Sequence, residues 1–467
     1  MNLAETFQTD RTKFSASPVE GATKLVTSTL AGLLFLVSAG TNAVQVSSGT
    51  GQALIVPIYS TEGGFDTLLA VSNTHDSSES AVALKAHFID ADEQIVGSFN
   101  VYLRSLSTWA LGLRSENGQS VSGHFTGGCV LQAGAGGGVE LINSIQLDST
   151  VGYVEIVEMG SVSESTLIEA LNEGNCSVID QYWMDILADG ADPNTVMDGP
   201  RGVVRANVAL INVARGTMYA IDAIGLQNFR NSEFHTAPGE PVPDLSSADN
   251  AADVTISTNC YTTRCVVDEW SDPVEAVSAA LMAREVTGEY AINDAIGART
   301  EWVITAPTLR FASVPNPATR NIGAYLLLTD RRGERQYRIN PPTPNLPPPP
   351  FSSSFEGPWV VDRPVQSGYF TSESAPTSDD SILALPHSGP IPAQFNAGLT
   401  RAGFTRFDSF AQPTQTSLGG RDYFGAAVIG VVLQEVNNGV IPSSDGGVRI
   451  ASFGNAFTPS YSLEETE

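Results

Sequence analysis

Four short segments decide the fold: ALIVPIY at Ala53–Tyr59, TLLAVSNT at Thr67–Thr74, AVALKAHFI at Ala81–Ile89 and IVGSFNVYL at Ile95–Leu103. Each is rich in β-branched or aromatic residues and of strand length. Between them lie Thr61-Glu62-Gly63-Gly64, the polar stretch His75–Ser80 and Asp90–Glu93, which are turn-forming sequences. Short strands that follow one another with short polar turns between them are the mark of antiparallel hairpins in a sandwich. Parallel pairing would need helical crossovers between them, and this part of the sequence has no room for one.

The same reading extends along the chain. GYVEIVEM (Gly152–Met159) is a strand, and VVRANVALINV (Val203–Val213) with TMYAIDAI (Thr217–Ile224) is a hairpin turning at Arg215-Gly216. EWVITAPTL (Glu301–Leu309), AYLLL (Ala324–Leu328) and AAVIGVVL (Ala426–Leu433) resume the pattern, with Asn437-Asn438-Gly439 read as a turn. Gly134–Gly138 is a flexible loop without the Gly-Lys-Ser/Thr ending of a phosphate loop. A short helix is expected at Ser163–Asn172 and a clearer one at Pro273–Arg284, where Asp272 is placed to cap and Pro273 stands in the first turn. The expected class is mainly β: an antiparallel β-sandwich-like body with one or two short helices and long loops.

Pro341–Pro350 (PPTPNLPPPP) is the one low-complexity run, an extended linker or surface strap. Residues 351–467 are poor in strands and rich in Ser, Pro, Thr and Gly, too little for a core of their own. Their strands are expected to complete a sheet of the 44–340 body, with a separate C-terminal domain as the alternative. No fixed-period repeat marks a solenoid or propeller.

Before the first strand, Lys24 precedes an apolar run from Leu25 to Ala39, followed by Thr41-Asn42-Ala43. A basic residue, an apolar stretch of about fifteen and a small-residue site read as a secretory signal over residues 1–43, too short to span a bilayer. Cleavage is expected after Ala43, with Ala39 or a retained anchor as alternatives. Cleavage at Ala43 would free Val44–Gly51 as an N-terminal arm. The expected localisation is extracellular or at the outer cell surface, with the periplasm possible and no transmembrane span left after signal removal.

The net charge is −27, and residues 1–43 carry three acids (Glu5, Asp10, Glu20) and three bases (Arg11, Lys13, Lys24), so the whole excess of acid belongs to residues 44–467. Lys85 is the only lysine beyond residue 43. Such a chain offers no positive face for nucleic acid or anionic lipid. It suits solubility at high ionic strength, where repulsion between surface carboxylates is screened.

The four cysteines are Cys129, Cys176, Cys260 and Cys265. An even number in an exported chain points to disulfides. A small Cys260–Cys265 ring with Cys129–Cys176 across a larger loop is preferred among the three pairings. No second close Cys pair or neighbouring His completes a zinc set. Catalytic patterns are missing as well: the five histidines (His75, His87, His124, His235, His387) show no paired spacing, and no G-x-S-x-G elbow occurs. Glu155 and Glu158 are three apart on a strand and so point to opposite faces. No cofactor is expected. Calcium is the one cation with suitable oxygen ligands, at Asp90-Ala91-Asp92-Glu93 and Asp189-Gly190-Ala191-Asp192-Pro193-Asn194, but neither follows the twelve-residue loop. Of the tryptophans, Trp109 and Trp302 read as core, whereas Trp183 and Trp359 lie in more polar sequence and are candidate ligand-facing aromatics.

Several segments in order, Val56-Pro57-Ile58-Tyr59, Thr67–Thr74, Phe99–Leu103 with Trp109, Gly152–Gly160, Ile211–Tyr219, Asp272–Met282 and Glu301–Thr308, resemble a set of secreted, β-rich proteins of unknown function from Gram-negative bacteria. The resemblance implies an exported, surface-associated architecture and carries no activity. The sequence thus favours a non-enzymatic structural or adhesive protein whose partners are other copies of itself or cell-surface components, joined by strand addition. A secreted carbohydrate-binding module is the alternative, and a secreted hydrolase a more distant one.

Overall fold

Alternation along the strands becomes alternation between core and solvent. In Asp66–Asn73 and Val204–Asn212 every second side chain is buried, whereas Ala53–Ser60 and Val151–Val162 are buried along their whole length. The first pair lies in a sheet with one wet face, and the second in a sheet covered on both. A computed structural model of the chain describes residues 43–77, 80–122, 125–259, 262–312, 322–337, 359–372, 380–406, 414–442 and 448–462. The chain is mainly β, its sheets chiefly antiparallel.

The sheet covered on both faces, sheet I, runs Gln45–Ser47, Ile224–Gln227, Ala53–Ser60, Val151–Val162, Ala81–Asp90, Ile95–Arg104, Cys129–Ala133, Val139–Ile142. Sheet II runs Gln146–Leu147, Gln119–Ser122, Thr108–Glu116, Asp66–Asn73, Val204–Asn212, Thr217–Asp222. Their facing side chains, among them Trp109, Leu69, Val71, Leu84, Phe88 and Val101, form one core. Successive strands cross between the two sheets, which makes this a sandwich rather than a meander.

A second sandwich lies C-terminal to the first. Sheet III contains Arg335–Tyr337, Ile322–Asp330, Ala397–Arg406, Glu285–Ala291 and Ser460–Ser462. Sheet IV contains Gly389–Ala393, Val365–Ser372, Ala298–Thr305, Ile429–Pro442 and Val448–Phe457. Trp302, Tyr290, Phe370, Leu328 and Phe404 fill the space between them, with Tyr290 and Phe370 stacked at 4.8 Å. Strands on either side of the proline run pair directly: Ala298–Thr305 lies between Val365–Ser372 and Ile429–Pro442. Val303, Val365, Val431 and Leu433 turn away from this core and join that of the first sandwich, so residues 42–467 form one compact unit.

Three α-helices occur among the described residues. Ser165–Glu173 matches the expected short helix, and Pro273–Ala280 starts as expected, with the Asp272 carboxylate accepting from Val274 N at 2.8 Å. The latter stops before Arg284 because Met282–Ala283 is drawn into a strand pair with Ala426–Ala427. Cys176–Asp189, which polar neighbours hid, buries Ile179, Trp183 and Ile186, one helical face.

Two expectations are corrected. Asn437-Asn438-Gly439 is not a turn: it lies inside Ile429–Pro442, where a shift of register between Asn437 and Val440 absorbs it as a bulge. Among the ladders of the described residues, that of Val365–Ser372 with Gly389–Ala393 is parallel. Val44–Gly51 is not a free arm. Val44 is fully buried, its N–H donates to Ala251 O at 2.8 Å and its carbonyl accepts from Asp253 N at 2.9 Å. Gln45–Ser47 pairs with Gly225–Gln227, and Gly51 N donates to Val204 O. Backbone groups that would have been free are satisfied within the same chain. The 341–350 run, Cys260 and residues 1–42 lie outside the described residues.

Candidate functional site

Polar groups concentrate on the face of sheet I turned away from sheet II. Register places Lys85 opposite Asn100, Ala83 opposite Tyr102, and His87 between Ser98 and Glu155, so these side chains share one face. Lys85, His87, Asn100 and Glu155 are fully buried. Such groups are tolerated only when partnered, and the segment 228–250, lying across the sheet, supplies the partners. Lys85 Nζ donates to Ala237 O at 2.6 Å and Asn100 Nδ2 to Thr236 O at 2.8 Å. His87 Nε2 lies 3.1 Å from Pro243 O, a contact that requires its proton on Nε2. Trp183 Nε1 donates to Tyr102 OH at 2.6 Å, and that hydroxyl is 2.8 Å from His235 Nε2.

Electrostatics reflect this enclosure. Burial, with the charges of Lys85 and Arg310 adding to it, pushes His87 down to about 3. Burial, again helped by Lys85, does the same to His235. Lys85 is lowered to about 7 by burial, against the pull of Glu240. His87 Nδ1, His235 Nδ1 and Asn100 Oδ1 have no hydrogen-bond partner.

A second set of charges ties the chain together where the sandwiches meet. Arg310 donates through Nη2 to Glu155 Oε2 at 2.8 Å and to Asp244 Oδ2 at 2.9 Å, and through Nε to Glu155 Oε1 at 3.2 Å. Its guanidinium lies 4.0 Å from the centre of the Phe311 ring. Burial raises the Glu155 carboxyl, and Arg310 opposes that shift. Glu301 Oε2 accepts from Ile382 N at 2.6 Å, Leu383 N at 3.0 Å and Ser381 Oγ at 3.1 Å, while Oε1 accepts from Ser388 Oγ. Tyr219 donates to Glu435 Oε2 at 3.0 Å, and Arg215 donates to Ile382 O at 2.8 Å. Glu158 faces the other way from Glu155 and accepts from Arg201 N and Gly202 N, both at 2.8 Å; burial raises it to about 7 against those bonds. These carboxylates brace backbone and arginines. Glu155 and Glu158 in particular are turned to opposite faces of their strand and do not form a facing acid–base pair.

Trp183 is not ligand-facing. It is 1% exposed and packs 4.9 Å from the His235 ring, because the polar residues around it occupy the other face of its helix. Of Trp359, only the backbone is described, opening a short strand paired to Ala324. Trp109 and Trp302 are core. Cys129 and Cys176 form a disulfide with Cα atoms 5.4 Å apart, which anchors the Cys176–Asp189 helix to the Cys129–Ala133 strand of sheet I. The Cys260–Cys265 pairing lies outside the described side chains. In the two acidic turns the carboxylates serve the backbone: Asp90 Oδ1 accepts from Asp92 N and Gln94 N, and Asp192 Oδ1 from Asn194 N. A cavity of about 570 Å³ lies beside the disulfide, between Arg104, Thr108 and Asn172.

His235 and Arg310 escaped the reading of the sequence, since each stands in irregular sequence and gains its role from distant segments. Lys85 and His87 did carry a signal: in AVALKAHFI they fall two apart, on the same face as Ala81 and Ala83. Comparison with known proteins returns no matching family model, no matching curated protein and no matching solved structure. The molecule is therefore placed by its own geometry, as a double β-sandwich braced by buried ion pairs.

Proposed function

We propose that this chain is an exported structural or adhesive protein, working outside the cell or on its surface through assembly with other copies or with surface components. One observation carries the reading: the ionisable side chains that are buried together are committed to holding segments of the chain to each other, as Arg310 does between Glu155 and Asp244. Such bracing resists local opening and suits a part that bears load rather than one that closes on a substrate. The disulfide supports an oxidising destination, and the resemblance to secreted β-rich proteins agrees with it.

Within this reading the leader is removed after Ala39 rather than Ala43. Cutting at Ala43 would place a new ammonium group on Val44, which is fully buried. A terminal amine has an ordinary pKa of about 7.7–8.0 and is charged at neutral pH, so its burial is costly. Fractionation of cells making the full chain, with sequencing of the N-terminus, tests both points. The protein is expected outside the inner membrane and beginning at Gly40. A cytoplasmic protein with residues 1–39 still attached would defeat the proposal.

A further inference from the structure

The outer face of sheet II departs from the rule that the solvent side of a half-buried antiparallel sheet is polar. Its outward positions hold Leu68, Ala70, Ala110, Ala209, Ile211 and Met218, in adjacent register across four strands, with Asn207 the polar side chain opposite Ala70. Leu68 is 43% and Met218 56% exposed, and a Cβ added at neighbouring Gly112 would meet nothing within 4 Å. The small side chains leave the surface flat. Charge appears only at its ends. Asp66 lies opposite Ile211 at one end, where Arg114 and Glu116 of the neighbouring strand pair at 3.5 Å; at the other, Arg205 lies opposite Ser72 and pairs with Asp222 at 3.2 Å.

We infer that this face is where a second copy of the chain docks, sheet against sheet. Contiguous exposed apolar surface of this kind marks an interaction site, and sheets with small side chains pack face to face at about 10 Å. The charges choose the occupant. A chain of net charge −27 repels another copy over most of its surface, but this face is apolar in its middle and carries charges of both signs at its ends. A two-fold axis lying across the strands sets the Asp66 end of one copy over the Arg205 end of the other, twice, as an isologous contact requires. The inference deepens the assembly proposed above and rests on it for its biological setting, though not for its geometry.

Sedimentation velocity of the protein purified from producing cells, over a range of concentration, tests it. The wild type is expected to self-associate, and Leu68→Glu or Ala209→Glu to weaken this by at least about tenfold. Both side chains point outward, so thermal unfolding should be unchanged. Asp66→Arg and Arg205→Asp should each associate poorly alone and recover when mixed, because the mixed pair restores opposite charges at both ends. Association of the Leu68→Glu and Ala209→Glu proteins at wild-type strength, or no recovery on mixing, would overturn the docking face and leave the structural role standing. A wild type that stays monomeric throughout would overturn the docking face and leave attachment to surface components as the remaining form of the structural role.

Discussion

His235 shows how one side chain records the cost of an enclosed polar network. It lies between Trp183 and Tyr102, held neutral by burial at a pKa of about 3, where the unfolded chain titrates near 6.5. Between those values the unfolded state binds a proton that the folded state does not. Stability therefore falls as pH drops through 6.5, and by pH 5 the loss for one such histidine is about 2 kcal/mol. His87 acts in the same direction. Glu158 acts oppositely: its folded pKa of about 7 lies above its ordinary value, so acidification from 7 toward 4.5 relieves the burial of its charge. The clean readout is therefore a difference. Urea unfolding of wild type and His235→Gln at pH 7 and pH 5 should show the wild type losing about 2 kcal/mol more than the variant over that interval. Equal losses would mean that His235 is not held neutral.

At the scale of elements, what matters is which segments the charges join. Glu301, in the middle of Ala298–Thr305, accepts two backbone N–H groups and two serine hydroxyls from residues 381–388. Glu301→Ala leaves buried donors unpaired, at about 1–3 kcal/mol each, so equilibrium unfolding should report a loss of at least about 3 kcal/mol. Arg310→Met should cost about 3–5 kcal/mol, because Glu155 and Asp244 are then left buried without their cation. A loss below about 1 kcal/mol in either variant would show that these contacts do not brace the fold.

The strands were legible in the sequence, because β-branched alternation and turn residues are local signals. Asp66–Asn73, Ala81–Asp90 and Val151–Val162 fall within a residue or a few of where the pattern puts them. Three features were not legible, each because a distant partner decides it. Asn437-Asn438-Gly439 has turn chemistry, but the ladder with Val448–Phe457 carries it as a bulge. Val44–Gly51 looks free until Ala251, Gln227 and Val204 close on it. The neighbours of Trp183 are polar, yet its own helical face, with Ile179 and Ile186, is apolar. Of the polar network, only Lys85 and His87 were marked by periodicity, since the covering segment 228–250 has none.

At the scale of the molecule, two sandwiches keep a core each, joined where Val303, Val365, Val431 and Leu433 of the second pack into that of the first. The chain is strongly acidic, whereas one flat sheet face is apolar in its middle with charges of both signs at its ends. Acidity keeps copies apart and soluble at random encounter, and the face permits a single orientation of approach. Together these give an assembly that is specific without being sticky. The most direct measurement is electron microscopy of the medium and outer surface of cells producing the full chain, with Leu68→Glu as the comparison. Ordered assemblies of the wild type are expected outside the cell, and the Leu68→Glu protein is expected to be exported but dispersed. Wild-type protein retained in the cytoplasm, or outside yet as dispersed as the variant, would contradict this.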